Sequence, residues 1–303
     1  TSALVMLPFM LGLLVWFWLW SWRLGFGLSA GNMAIDIAWS AALLMLLYAG
    51  NRFVSVDTAG LVATAPLLAL AWLLDRSRTP WRRALRLAAP YLLLGVILLT
   101  TRLIKPLQAW LQGSLVFAPY PDMPAFALPY HGASMLLLAA LLYGAFALRS
   151  RSGWAAILQR SWRAGRIAMS TTLIFLVMAQ LMGGAGIPAA LAAAWQSVAG
   201  DYALLATPVF AATAGGLTGG NTASNSLLLP LQAALAHSVG ASVLWVSALQ
   251  NVTGAMFTSF APGKLALACA FAEWRGGERQ AYRTVLPLGL ILLPIALGVA
   301  ALL

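Results

Sequence analysis

Apolar runs follow one another along almost the whole of this chain, separated only by short polar or arginine-rich stretches. A helix that crosses a hydrocarbon core needs about 20 mostly apolar residues. Residues 4–22, 33–50, 58–74, 87–104, 129–148, 167–181, 242–274 and 285–303 meet or approach that length. With 8% charged residues and a mean hydropathy of +0.87, a water-soluble fold is excluded. The runs lack the alternation of membrane-barrel strands. The predicted fold class is therefore an all-α polytopic membrane protein with about eight spans, one of them broken, and a re-entrant helical hairpin.

The net charge of +11 resembles a nucleic-acid signature until the basic residues are located. They cluster at 76–86, 149–166 and 275–283, the positive-inside pattern, so no nucleic-acid partner is expected and the bilayer is the partner instead. Residues 4–22 read as a span and not a signal peptide, because no basic segment precedes them and no small-residue cleavage site follows. Trp16, Trp18, Trp20 and Trp22 crowd the end of that span like an interfacial belt. Residues 105–128, with Pro106, Pro119, Pro121 and Pro124, predict an external loop. Residues 149–166 predict an interfacial helix with Ile157, Leu158 and Trp162 on its apolar face. A short amphipathic link is expected at 188–198.

Residues 203–238 depart from the span pattern. Two short apolar runs flank Gly219-Gly220-Asn221-Thr222-Ala223-Ser224-Asn225, and each rises only roughly 20–25 Å as a helix against about 30 Å of hydrocarbon. A hairpin that enters and leaves by one side fits these lengths. Exposed backbone at membrane depth is tolerated only inside protein or beside a water-filled cavity, which makes the tip a candidate binding site. An Asn or Thr before the second half-helix would cap it, and the free amides there favour an anion. Thr222, Ser224 and Asn225 would add neutral donors. A second interruption, Gln250 to Gly254 and Thr258 to Lys264, contains Pro262, which should free carbonyls near Thr258. Two broken elements near one midplane are what a transporter's substrate site requires.

Among ionisable residues, Lys264 is a candidate counter-charge for a carboxylate, with snorkelling to the interface as its other reading. His237, His131 and Asp36 could titrate with a coupled proton, with His237 and Asp36 the better placed; Asp201 belongs to the outer interface. Cys269 is the one cysteine, which rules out an internal disulfide and a cysteine metal site. Neither a metal motif nor a hydrolase or nucleotide motif is present, so no cofactor, no metal and no enzyme are expected.

The stretch GGLTGGNTASNSLLLPLQAALA, then ALQNVTGAMF, then P-x-x-LALACA, resembles the C-terminal half of the lactate permease family. The likeness runs upstream through RAGRIAMSTTLIFLVMAQLMGGAGIPAALA and reaches Leu7-Pro8-Phe9. It implies proton-coupled uptake of L-lactate, glycolate and similar 2-hydroxymonocarboxylates across the cytoplasmic membrane of a bacterium, on one half of an inverted-repeat ion-transporter fold. The positions it marks are Gly219, Asn221, Thr222, Ser224, Asn225, Gln232, Gln250 and Gly254. The residue reading adds Gly220, Asn251, Thr253 and Lys264 as substrate-binding. Gly220 stands where the family has serine, and Leu228-Leu229-Pro230 where it tends to have Phe and small residues.

The implied organisation is a scaffold over 1–165 and a transport-type repeat over 166–303, with hairpin 203–238, broken helix 242–274 and last span 285–303. The family is longer, so a missing N-terminal half or a second chain is an expected partner; homo-oligomerisation is open. The alternative is a non-transporting structural subunit, or half of a split membrane complex. A membrane-embedded enzyme would need clustered acids or a nucleophile with a base, and neither is present.

Overall fold

The computed structural model describes residues 1–75, 79–118, 125–147, 151–274 and 276–303, and only the backbone of Arg151, Ser152, Ile167, Ala168 and Asp201. The expectations for Arg76, Arg78, Arg149, Arg275, Pro119, Pro121, Pro124 and the Asp201 side chain lie outside the described residues. The chain is almost entirely helical: α1 (Ser2–Arg23), α2 (Ala30–Ala49), α3 (Ala59–Leu74), α4 (Trp81–Leu103), α5 (Lys105–Gly113), α6 (Gly132–Ala147), α7 (Arg151–Gly184), α8 (Ile187–Ala199), α9 (Ala206–Thr218), α10 (Asn221–Ser238), α11 (Val243–Phe257), α12 (Pro262–Phe271) and α13 (Glu278–Ala300). Five helical stretches are long and apolar enough to cross a membrane, and seven if each of two bent pairs counts as one span. The remaining expected span, α6, has 16 described residues. Large apolar side chains such as Phe146 and Leu290 are mostly exposed, as they are where lipid is the solvent.

Two compact units form, Thr1–Asp36 with Ala164–Leu303, and Ile37–Arg163. In the second, residues 105–113 are helical where a loop is expected, because Pro106 sits in the first turn, where a missing amide costs nothing. Strands β1 (Val116–Phe117) and β2 (Phe126–Ala127) pair antiparallel beyond it. Arg102, at the end of α4, is almost fully buried. Its guanidinium donates to Asp57 Oδ2 at 3.1 Å and to the Tyr130 carbonyl at 2.7 Å, and lies 3.5 Å from the centre of the Tyr130 ring. Burying that charge is tolerable only because these partners replace water.

In the first unit, α1, α11 and α13 share a core of Val5, Phe9, Leu249, Val252, Leu288 and Leu292. A smaller core joins α8 to α10 and α11 through Ala192, Leu235, Ala236 and Val246. The predicted interfacial helix and the span after it are continuous in one helix, α7, of which Ala164–Gly184 belongs to this unit. Ile157, Leu158 and Trp162 remain exposed on it.

Helices α9 and α10 form the hairpin, broken at Gly219, whose φ of +65° only glycine adopts without strain. Helices α11 and α12 form the broken span, bent by 53°. The hairpin meets α11 where Gly215 faces Gly254, and a Cβ on Gly215 would collide with the Gly254 carbonyl. Without a hydrophobic drive between helices in lipid, such small-residue contact is what lets backbones pack closely. Gly215→Ala should therefore lower stability by about 1–3 kcal/mol through overpacking. Gly216→Ala, whose new methyl meets only the Phe257 carbonyl at 3.8 Å, should cost little. Thermal unfolding of the purified protein in detergent distinguishes the two; equal midpoints would show that this crossing is not tightly packed.

Candidate functional site

Each half of the interrupted pair brings carboxamides to the same place. Along the buried side, Thr207 Oγ1 donates to Gln232 Oε1 at 2.6 Å, Gln232 Nε2 to Gln250 Oε1 at 3.2 Å, and Gln250 Nε2 to Ser224 Oγ at 3.3 Å. All four side chains are wholly inaccessible to solvent. This relay ties both arms of the hairpin to α11. It could form only if the arms fold back on the Gly219-Gly220 turn, since Thr207 and Gln232 stand equally far from it along the chain.

At the tip, Asn221 Nδ2 and Asn225 Nδ2 both donate to Asn251 Oδ1, at 2.8 and 2.7 Å. Asn251 Nδ2 in turn donates to Ser2 Oγ at 3.4 Å. The oxygens of Asn221 and Asn225, and the hydroxyl of the fully buried Thr253, have no hydrogen-bond partner. A side chain at Gly254 would come within 3.1 Å of Ser224 Oγ and 3.2 Å of Asn221 Oδ1, so glycine there keeps the α11 backbone beside the polar cluster. The cluster is neutral, holding donors and acceptors with no ionised side chain among them.

The cap differs from expectation. Gly220, in extended conformation, is the N-cap of α10, and no side chain caps it; Asn221 and Thr222 lie inside the first turn. Their side chains are drawn elsewhere, Asn221 to Asn251 and Thr222 outward, where it is exposed. The first helical bond runs from Ser224 N to Gly220 O, so the amides of residues 221–223 have no intrahelical acceptor. The carbonyl expected to be free near Thr258 is also taken: Ala261 N donates to Thr258 O at 3.1 Å, and Pro262 opens α12 instead of interrupting a helix.

Of the expected site residues, Asn221, Asn225 and Asn251 form one hydrogen-bonded set and Ser224, Gln232 and Gln250 another, the two meeting beside Gly254, with Gly219 and Gly220 making the turn. Lys264 is exposed, and its Nζ donates to Thr258 Oγ1 at 2.6 Å, not to the carboxamides. Asp36 accepts from Trp18 Nε1 at 2.9 Å, and His237 is exposed in the last turn of α10. Thr207 and Ser2 join the network without having been expected. The hairpin's symmetry could have revealed Thr207; nothing local marks Ser2.

Two interrupted helices meeting at a buried polar centre, in a chain of several membrane-spanning helices, are the arrangement transporters use at a substrate site. Residues 59–303 match the family model of L-lactate permeases, and the chain belongs to that family. That range includes every residue of the hairpin and the broken span but begins well after Leu7-Pro8-Phe9. No curated protein and no solved structure matches the chain. Membership makes it a multi-pass membrane transporter.

Gln232→Leu should strand the Thr207 hydroxyl and the Gln250 carbonyl, lowering stability by about 1–3 kcal/mol, the cost of an unpaired buried polar group. Thr222→Ala, at an exposed hydroxyl, should leave the unfolding midpoint where it is. A wild-type midpoint for Gln232→Leu would mean that the relay carries no weight.

Proposed function

We propose that the protein takes up L-lactate, glycolate and related small 2-hydroxymonocarboxylates together with a proton, across the cytoplasmic membrane of a bacterium. The observation that carries this reading is the junction of α10 and α11, where free first-turn amides lie beside unpartnered carboxamide oxygens. A helix N-terminus favours an anion without a fixed positive charge, which suits the carboxylate. A carboxylate only accepts, so it cannot satisfy Asn221 Oδ1 or Asn225 Oδ1. A 2-hydroxyl group, a donor on the neighbouring carbon, can.

In this reading residues 166–303 are the transport part, with α1 packed against it, and residues 1–165 otherwise act as scaffold. The relay from Thr207 to Ser224 is closed to solvent, so the hairpin must move relative to α11 to admit substrate. Proton coupling falls to His237 or Asp36, neither of which touches the carboxamides, and Lys264 approaches the substrate only by leaving Thr258.

Counterflow of labelled lactate, glycolate and dicarboxylates in proteoliposomes, at two pH values, tests the proposal. Exchange of the two hydroxy acids, faster at the lower pH, with none of the dicarboxylates, is expected; absence of lactate exchange would refute it. Asn221→Ala should lower uptake by about two orders of magnitude with membrane insertion intact, whereas Thr222→Ala, whose hydroxyl is turned away from the carboxamides, should stay near the wild-type rate. Lys264→Ala should raise the half-saturating concentration roughly tenfold, the loss of one charge-assisted bond. An unchanged value would assign that lysine to the interface alone.

A further inference from the structure

The tryptophan belt of α1 does more than face lipid. Trp16, Trp20, Trp22 and Arg23 at the end of α1, with Arg283 and Thr284 near the start of α13, line a cavity of about 460 Å³. Trp20 holds the two helices together there, its Nε1 donating to the Thr284 carbonyl at 3.4 Å. Trp16 packs edge-on to Trp20 with ring centres 5.5 Å apart, and the Arg23 guanidinium lies 5.3 Å from the Trp20 ring. No acidic residue lines the cavity, and neither arginine makes an ion pair among the described residues. Both arginines are exposed, so their charges are held at the mouth and not in the protein interior.

The depth of this cavity follows from its neighbours. Helix α13 begins at Glu278, within the third basic stretch, which the positive-inside pattern puts on the cytoplasmic side. The end of α1 meets the beginning of α13, so Arg23 lies on that side too. Indole rings favour the headgroup level, where an apolar face and a polar N–H are both used. A basic pocket between helices at that level, with an aromatic wall reaching toward the hydrocarbon, suits a ligand with an anionic head and acyl chains.

We propose that this cavity is a binding site for an anionic phospholipid of the cytoplasmic leaflet, with Arg23 and Arg283 on the phosphodiester and the tryptophans against the glycerol and upper acyl segments. Two arginines from different helices provide forked donors for phosphate oxygens. Occupancy would clamp α1 to α13, and α1 shares its core with α11, one wall of the carboxamide cluster.

The test uses the intact protein in neutral detergent, titrated with short-chain phosphatidylglycerol, with phosphatidylcholine of the same chain length, and with glycerol phosphate. Phosphatidylglycerol should raise the thermal midpoint saturably at concentrations where the other two do not. The double variant Arg23→Gln/Arg283→Gln should need roughly thirtyfold more of it, at about one kcal/mol per basic residue near an anionic headgroup. Arg82→Gln/Arg86→Gln, in another basic stretch, should respond as wild type does. Arg23→Lys/Arg283→Lys, which keeps the charge, should respond more strongly than the glutamine pair. An equal effect of phosphatidylcholine or of glycerol phosphate would overturn the proposal. So would a wild-type response from the glutamine pair, or an equal loss in the Arg82/Arg86 pair.

Discussion

The close approach of Gly215 to Gly254 is the contact on which the site depends. There the hairpin and the broken span come near enough for side chains as short as asparagine and serine to bridge them. In lipid, apolar side chains gain little by leaving one hydrocarbon surface for another, so close backbone packing and interhelical hydrogen bonds must hold the helices together. The carboxamide relay supplies those bonds, and the small residues of α9 supply the proximity. Each depends on the other: a larger residue at 215 would lengthen every bond across the interface, and loss of a carboxamide would leave buried polar groups facing each other unpaired.

That dependence explains how a broken backbone survives inside an apolar protein. Gly219 turns the chain in a conformation other residues avoid, Gly220 opens the next helix uncapped, and the amides of residues 221–223 are left without helical acceptors. Protein surrounds the break on the α11 side, where Ser224, Gln250 and Thr253 are fully buried. A neutral polar centre of this kind can receive an anion without the cost of burying a permanent counter-charge. The cation–carboxylate pair of Arg102 and Asp57 lies in the other unit, where Tyr130 packs against it, and bears on the stability of that unit.

Much of this was legible beforehand, because the features that matter break a strong pattern. Short apolar runs around a glycine and amide cluster stand out in a chain of long spans, and Pro262 marks the second break. The family likeness rests on the same residues. What escaped had no local signature. Ser2 is one serine among many, and its bond to Asn251 arises from tertiary packing. Arg102 sits near the end of an apolar run and looks like an interfacial residue until Asp57 and the Tyr130 carbonyl are found beside it. The N-cap of α10 is Gly220, one residue before the expected asparagine, because Asn221 already lies inside the first turn with its Nδ2 donating across to α11. The loop over 105–113 became a helix because proline marks helix starts as readily as loops.

The central claim is that lactate seats where the tip of the hairpin meets α11. It is tested most directly with a Ser2→Cys reporter, whose side chain meets Asn251 at the carboxamide cluster, in a Cys269→Ser background that still exchanges lactate. Saturating lactate should slow labelling of that cysteine by a small, water-soluble thiol reagent, and propionate, which lacks the hydroxyl, should protect far less. Labelling at the same rate with and without lactate, in a variant that still transports it, would contradict the account.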